Sequence, residues 1–290
     1  MNKLFINKIV IGSVQFGMDY GINNLSGKTS KEDVFIILDY VNKNGIKHID
    51  TSYLYGDSEA VLGCYEHIEN FKIVSKCPSI DDNVKKYFYQ SLKRLNQRKL
   101  DGYLIHHFDF FLQNPKIWNE LIALKDEGLV RKIGFSVYYP YQVEKLTELG
   151  IEPDIIQIPY NIFDQRFDYI LEDKRYSKIE FYSRSVFLQG LVFKKYDELS
   201  NQFNDIKSKI KDLNDLSTFS KKNISELCLK FVLQNEKINK VIIGVDNLEQ
   251  LKDILVNISN DNLEKNIYNS LLSFKEENEN IILPFNWNKI

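Results

Sequence analysis

The feature that most constrains the fold is a regular alternation of short apolar runs with amphipathic stretches. Between the apolar runs lie helical patterns such as SKEDVFIILDYVNKNG, which Ser30 is predicted to cap and Gly45 to end. Another is NPKIWNELIALKDEG, with Asn114 as the predicted cap, Pro115 at the first helical position and Gly128 at the end. Eight runs have the composition of strands, and they are KIVIG, IKHID, FKIVSK, DGYLIHH, VRKIGFS, DIIQIP, KIEFYSRS and KVIIG.

Eight strand–helix units in 290 residues predict an α/β fold of the (β/α)8 TIM-barrel class, which usually takes roughly 250 residues. The competing α/β fold is a doubly wound open sheet. That fold usually carries G-x-G-x-x-G after its first strand, and this run is absent, as is G-x-x-x-x-G-K-[ST]. No Pro-, Gly- or Ser-rich linker divides the chain, so we expect one barrel domain over residues 1–290. A helical excursion is predicted at about 193–223 and a charged C-terminal helix at about 260–279.

Composition excludes several classes of function. The formal net charge is -2 and the lysines are interspersed with acidic residues, so a nucleic-acid partner is not expected. The three cysteines are widely spaced without a C-x-x-C pair, which predicts neither a disulfide framework nor a metal site. No apolar run reaches membrane-spanning length and the first residues do not have the pattern of a secretory signal. The sequence therefore predicts a cytoplasmic protein without a membrane partner.

Side chains with acid–base chemistry follow three consecutive predicted strands. Asp50 ends the second strand, with Tyr55 five residues later, while Lys76 ends the third and His106 lies at the end of the fourth. In a TIM barrel, catalytic residues lie at these strand ends. A lysine cation held by a carboxylate is expected to lower the phenol pKa from its usual ~10. Tyr55 could then protonate an oxygen that His106 hydrogen-bonds. Taken singly, each residue also fits a structural role, such as a turn aspartate or a core tyrosine.

The stretch DTSYLYGDSEAVLG at 50–63 resembles the signature of the aldo/keto reductase family. Four further stretches follow in the order of that family, namely SK at 75–76, DGYLIHHFD at 101–109, EGLVRKIGFSV at 127–137 and IQIPYNIFD at 156–164. The resemblance covers about residues 8–255. It implies a (β/α)8 barrel that binds a nicotinamide cofactor without a Rossmann domain. It also implies a catalytic tetrad of Tyr55, Lys76, Asp50 and His106.

The resemblance also implies residues that bind the cofactor. Ser136 and Gln157 match positions that hydrogen-bond the nicotinamide carboxamide, although Val137 replaces the asparagine usual after that serine. Arg184 lies where many members stack a tyrosine on the nicotinamide ring, and a planar guanidinium can stack there as well.

The stretch IIGVDNLEQL at 242–251 resembles the loop that binds the adenosine phosphate. The backbone of residues 244–247 leads into a helix start, which suits phosphate binding through amide groups. The family default is NADP(H), but no lysine or arginine is present here to bind a 2′-phosphate, and Asp246 would repel it if its side chain pointed inward. NAD(H) is therefore possible as well. The loop residues predicted to bind the cofactor are Gly244, Val245, Asp246, Asn247 and Gln250.

These features predict an NAD(P)H-dependent oxidoreductase that reduces the carbonyl of an aldehyde, ketone or keto-sugar. RSVFLQGL at 184–191 also resembles a bacterial subgroup associated with sugar and surface-polysaccharide pathways. One alternative is a nucleotide-binding regulatory barrel with little turnover, and another is a phosphate-binding isomerase or lyase. The complete tetrad argues against the first, and the poor phosphate loop after strand seven argues against the second. Aromatic residues expected at the barrel mouth are Tyr20, Tyr53, Phe108, Phe110, Tyr138 and Tyr160.

Overall fold

A computed structural model describes residues 3–24, 26–258 and 262–287, and its centre is a closed barrel of eight parallel strands. The strands are β1 (Ile9–Gly12), β2 (His48–Asp50), β3 (Lys72–Cys77), β4 (Leu100–Ile105), β5 (Val130–Ser136), β6 (Ile155–Pro159), β7 (Glu180–Arg184) and β8 (Ile238–Gly244). The order around the barrel is the chain order, and β8 closes it by pairing with β1, where Gly12 lies opposite Gly244. The predicted fold class is confirmed, because each predicted run contains one strand.

Helices surround the barrel. They are α1 (Lys3–Lys8), α2 (Lys31–Lys43), α3 (Ser58–Gly63), α4 (Val84–Arg94), α5 (Phe108–Gln113), α6 (Lys116–Asp126), α7 (Pro140–Glu148), α8 (Asp168–Glu172), α9 (Lys207–Ser220), α10 (Ile224–Leu233), α11 (Leu248–Asn257), α12 (Lys265–Leu272) and α13 (Glu279–Ile282). None of the helices within the described ranges combines the length and the apolar character that a membrane crossing requires.

Helix α2 shows how local sequence sets these elements. The hydroxyl of Ser30 accepts a hydrogen bond from the Asp33 N–H at 3.1 Å, which satisfies one free amide of the first turn. The side chains at positions 34, 37, 38 and 41 are buried, which is the spacing of one helix face. After the helix, Gly45 adopts a left-handed φ of +79°, which glycine tolerates without a steric penalty.

The structure differs from the sequence prediction at three helices. Helix α6 begins at Lys116 with Pro115 at its N-cap, one residue later than predicted, because Asn114 already ends α5. Helix α5 itself was not predicted. The single C-terminal helix expected at about 260–279 is instead the shorter α12, followed by a loop and then α13, and residues 259–261 lie outside the described residues. In the predicted excursion at about 193–223, α9 follows a 3-10 turn at Asn201–Ile206.

Two buried clusters hold the fold together. The larger one lies between the strands and the surrounding helices. The smaller one contains one residue from each of six strands, which places it inside the barrel, as expected where alternate side chains of each strand face inward. Its members are Val10, Val74, Leu104, Ile155, Tyr182 and Ile242. Because these side chains fill the interior, we expect a ligand site at the open ends of the strands.

Candidate active site

A cavity of about 630 Å³ lies at the carboxyl ends of the strands. It extends from the ends of β2 and β4, past the ends of β1 and β8, to helix α11. The predicted site residues that line it are Asp50, Tyr55, His106, Ser136, Arg184, Gly244, Asp246 and Gln250. The predicted site residues that do not line it are Lys76, Gln157, Val245 and Asn247.

A buried polar network stands at the base of the cavity. Lys76 donates to the Oδ2 atom of Asp50 at 2.7 Å and to the carbonyl oxygen of Thr51 at 2.8 Å. The Lys76 side chain is 1% exposed and that of Asp50 5%, so this ion pair is shielded from water. The amide nitrogen of Gln157 donates to the second carboxylate oxygen of Asp50. Asp50, at the end of β2, thereby fixes both Lys76 on the neighbouring β3 and Gln157 on β6 across the barrel.

The loop that carries Tyr55 is held by two glycines in backbone contact. A β-carbon on Gly17 would lie 1.9 Å from the Tyr55 carbonyl oxygen, a distance that no substituent can occupy. Gly56 has a φ of +55°, and a β-carbon there would lie 2.1 Å from the Gly17 carbonyl oxygen. Only glycine satisfies both the conformation and the close approach. These two residues dock the turn after β2 against the turn after β1 and so fix where Tyr55 points.

Tyr55, Lys76 and His106 come together as predicted from their strand ends. The Lys76 ammonium lies 5.0 Å from the centre of the Tyr55 ring. The rings of Tyr55 and His106 meet edge to face, with centroids 5.9 Å apart and an interplanar angle of 80°. With Asp50 paired to Lys76, all four predicted tetrad residues form one cluster at the end of the cavity.

The expected lowering of the Tyr55 pKa by Lys76 is wrong for this structure. Burial raises the pKa of Tyr55 well above its usual range, the negative charge of Asp50 raises it further, and Arg184 offsets only part of this. The reason is that burial outweighs the favourable charge of Lys76, part of which Asp50 compensates at contact distance. Burial also lowers the pKa of Lys76, an effect that Asp50 opposes. Tyr55 therefore keeps its proton at neutral pH.

His106 is held in its neutral form. Burial lowers its pKa well below the usual range, and the nearby charges of Lys76 and Arg184 act in the same direction. Its Nδ1 atom lies 3.1 Å from the hydroxyl of Ser52, which in turn accepts a hydrogen bond from the Leu54 N–H. We assign the Ser52 hydroxyl as donor to Nδ1, which leaves the proton of the neutral ring on Nε2.

Arg184 stacks on a tyrosine of the adjoining loop. The guanidinium lies 4.1 Å from the centre of the Tyr138 ring and donates to the Val137 carbonyl oxygen at 3.0 Å. Its Nε atom is buried without a hydrogen-bond partner among the described residues. Arg184 also lines the cavity next to the Tyr55 cluster. Burial raises the pKa of the nearby Tyr20 to about 12, and the charge of Arg184 opposes this increase.

Two glutamine side chains at the carboxyl ends of the strands have acceptor atoms without a hydrogen-bond partner among the described residues. Gln157, fully buried on β6, lies opposite Ser136 on β5. Its Oε1 atom has no hydrogen-bond partner among the described residues, although its amide nitrogen is bound to Asp50. The Oε1 atom of Gln15, which lines the cavity beside Gly244, is likewise buried and unpaired within the described ranges. A buried acceptor without a donor is available to a ligand that can donate a hydrogen bond.

The loop after β8 differs in part from its predicted role. Asn247 caps α11 by accepting from the Gln250 N–H at 2.9 Å, and the Gln250 side chain accepts from the Asp246 N–H at 2.9 Å. The amide of Asp246 is therefore not free to bind a phosphate, contrary to expectation, because a local capping pattern satisfies it. Val245 is fully buried in the core.

Sequence reasoning missed several residues at this site. Gln15 lies on the turn after β1 and Asp253 on α11, and neither position has a motif that distinguishes it from an ordinary surface residue. Ser52 could have been recognised from its place directly after the Asp-Thr pair at the end of β2. Of the six aromatic residues expected at the mouth, those that line the cavity are Tyr20 and Tyr138.

No cluster of His, Cys, Asp or Glu with metal-binding geometry occurs in the part of the chain that the structure describes. The polar groups gathered at the tetrad end of the cavity are a phenol, an imidazole, a buried lysine–aspartate pair and an arginine.

The comparisons with known proteins agree on one family. The profile described as "Aldo/keto reductase family" matches residues 8–275. The oxidoreductase YrpG of Bacillus subtilis is 24% identical over 87% of this chain and 87% of its own length. The methylglyoxal reductase DkgA of Salmonella typhimurium is 30% identical over 45% of this chain, and the match spans 50% of that relative's length. For several curated relatives, the matched region is thus only about half of their length.

Solved structures show the same fold. The aldo-keto reductase AKR11C1 from Bacillus halodurans, in its holo form, superimposes with a TM-score of 0.75 at 18% identity. The match covers 94% of this chain and 94% of that one. The thermostable aldo-keto reductase Tm1743 gives a TM-score of 0.70 at 21% identity, over 92% of this chain and 94% of that one.

Proposed function

The chain belongs to the aldo/keto reductase family of oxidoreductases, and from this premise we propose that it reduces the carbonyl group of a small molecule to an alcohol with a nicotinamide cofactor. The observation that carries this proposal is the cluster of Tyr55, His106, Lys76 and Asp50 at one end of a cavity large enough for a ligand. In this cluster Tyr55 keeps its proton at neutral pH and so has one to transfer, while His106 stays neutral.

Residues around the tetrad fit a nicotinamide. Its carboxamide offers N–H donors and a carbonyl acceptor, and the unpaired Oε1 of Gln157 beside the Ser136 hydroxyl provides the complementary groups. Arg184 is proposed to contact the ring, with Tyr138 stacked on the guanidinium to hold its plane. When bound, the reduced cofactor supplies the hydride.

We propose proton steps that use the groups of this cluster. His106 donates from Nε2 to the carbonyl oxygen of the substrate and orients it toward Tyr55. As the carbonyl carbon gains hydride, its oxygen becomes negative and takes the proton of the Tyr55 hydroxyl, so that the alcohol and a phenolate form. The Lys76 ammonium 5.0 Å from the ring centre stabilises that phenolate, and Asp50 holds Lys76 in place. Proton uptake from solvent then restores the phenol.

The substrate is proposed to be a small aldehyde, ketone or keto-sugar. The cavity wall near the tetrad combines the rings of Tyr20 and Tyr138 with the edge of Arg184, which suits a compact polar molecule. A relative named methylglyoxal reductase makes methylglyoxal the first compound to test. Both NADPH, the default of the family, and NADH are candidate cofactors.

The test is a substrate screen that follows oxidation of NADPH and of NADH by absorbance. We expect turnover of at least one small carbonyl compound, and loss of about 10²–10⁴ in rate for Tyr55→Phe. Tyr53→Phe is the matched control on the same loop, since its hydroxyl contacts Gln90 and its side chain does not line the cavity. A Tyr55→Phe enzyme as fast as wild type would refute the assigned proton donor, and binding of cofactor without any turnover would favour the regulatory alternative.

A further inference from the structure

The cavity has two ends of different chemistry. One end holds Tyr55 and His106, and the other is formed by helix α11 through residues that include Asp253 and Ile254. This inference rests on the proposed function, in which hydride and proton reach the same carbonyl group. The nicotinamide must then lie beside Tyr55, so an extended dinucleotide directs its adenosine toward α11.

The charges of the cavity wall are divided between these ends. Among the lining residues that the structure describes, Arg184 is the only lysine or arginine, and its charge acts on Tyr55 and His106 at the tetrad end. The α11 end carries two carboxylates, Asp246 and Asp253, and no basic lining residue within the described ranges.

Two basic residues near the α11 end in sequence have other partners. Lys222, close to the lining residue Ser225, pairs with Glu226 at 3.2 Å. Lys252, next to Asp253, lies 6.0 Å from the ring centre of Tyr40. Recruitment of either to a ligand would require it to leave its present contact.

One of the two carboxylate oxygens of Asp246 accepts no hydrogen bond from the described residues. Its Oδ2 atom accepts from the Gln250 side chain at 3.1 Å, and this contact fixes the carboxylate. Its Oδ1 atom is buried and has no hydrogen-bond partner among the described residues. The carboxylate is further held by the backbone, since the Asp246 carbonyl accepts from the Thr29 hydroxyl at 3.2 Å.

We infer that Asp246, with Asp253 adding to the local charge, makes this chain prefer NAD(H) over NADP(H). The ribose 2′-hydroxyl of NAD(H) donates a hydrogen bond, and an acidic side chain is the usual partner for it. The 2′-phosphate of NADP(H) is instead an anion that needs lysine or arginine. At the α11 end it would meet two negative side chains and no cation among the described lining residues.

The test measures binding rather than turnover. Wild-type protein is titrated with NADH and NADPH by quenching of its intrinsic fluorescence, and with ADP and 2′-phospho-ADP by calorimetry. We expect the nucleotide without the 2′-phosphate to bind about tenfold or more tightly in each pair. The preference ratio of a pair is the dissociation constant of the 2′-phosphorylated nucleotide divided by that of its partner. Because the repulsion is electrostatic, this ratio should shrink as ionic strength rises from about 0.02 to 0.5 M.

Variants locate the source of the preference. Asp246→Asn should lower the ratio about fivefold by weakening NADH and strengthening NADPH, and Asp253→Asn should lower it less. Glu249→Gln, an exposed acid on α11 that does not line the cavity, is the matched control and should leave the ratio unchanged.

Equal or tighter binding of the 2′-phosphorylated member of each pair would overturn the preference while leaving the proposed reduction intact. An unchanged ratio in both Asp246→Asn and Asp253→Asn would overturn the assignment to these residues. Failure of all four nucleotides to bind would overturn this inference together with the proposed function. Since the salt series uses wild-type protein, it tests the electrostatic origin even if a variant does not fold.

Discussion

Replacing both members of the buried Lys76–Asp50 pair should destabilise the fold by clearly less than the sum of the two single replacements. Lys76→Met leaves the Asp50 carboxylate buried with Gln157 as its remaining side-chain donor. Asp50→Asn leaves the Lys76 ammonium, 1% exposed, without a counter-charge. Breaking a buried pair from one side typically costs about 3–5 kcal/mol of folding free energy, because an uncompensated charge stays in a low-dielectric environment.

The double variant removes both charges together. The asparagine introduced by Asp50→Asn could still accept from Gln157, and the methionine introduced by Lys76→Met approximates the volume of the lysine stem, so neither group is left charged and unpaired. We therefore expect its loss of stability to be smaller than the sum of the two single losses by about 2–3 kcal/mol. Reduction should nevertheless stay absent, because the phenolate of Tyr55 would form without a neighbouring cation.

Urea unfolding of wild type, both single variants and the double variant gives the coupling energy directly. The exposed Lys145–Glu148 pair, one helical turn apart and 2.9 Å between charged atoms, is the control cycle and should give no more than about 0.5 kcal/mol. Additive losses at Lys76 and Asp50 would refute the argument from burial. Recovery of activity in the double variant would refute the role of Lys76 in catalysis.

Three further predictions follow from the same geometry. Because burial raises the pKa of Tyr55 and lowers that of His106, the rate of reduction should show no titration of either group between about pH 7 and 9, measured as a pH profile of kcat/KM. Arg184→Ala should raise the Kd of NADH and of NADPH by similar factors in fluorescence titrations, and loss of NADPH binding alone would place that arginine at the 2′-phosphate instead. Burial lowers the pKa of His48 to about 4, from an unfolded value of ~6.5. The unfolded chain therefore takes up a proton first as the pH falls, and stability should decline from about pH 6.5 to pH 4 less steeply in His48→Gln than in wild type.

The local sequence was sufficient to predict where the strands lie. Each is a short apolar run bounded by polar residues, and a buried parallel strand leaves this pattern whatever its neighbours are. The local sequence predicted the ends of helices less reliably. Asn114 is a favourable N-cap by residue type, yet it ends α5, because the preceding residues turn into a helix once Phe108 and Phe111 pack into the core. That packing is not visible in the nearby sequence.

In the candidate site, some features were likewise predictable from the sequence and others were not. The positions of Asp50, Lys76 and His106 follow from strand ends, since parallel strands in a barrel bring their carboxyl ends to one face. The pKa of Tyr55 did not follow, because it depends on how deeply the ring is buried and on which partner neutralises Lys76. The roles of Gln15, Ser52 and Asp253 were missed, because Ser52 meets His106 from another strand end and the other two line a cavity built from distant parts of the chain.

The sequence by itself determined the periodic pattern, the barrel class that this pattern permits and the residue types available at each strand end. Only the tertiary structure decided which of those groups are charged, which acceptors lack a donor and which end of the cavity is acidic. The physical reason is that strand and helix patterns arise from neighbours along the chain. Burial, ion pairing and electrostatic potential arise instead from residues that are far apart in sequence, such as Gln157 and Asp50, and that meet only when the barrel closes.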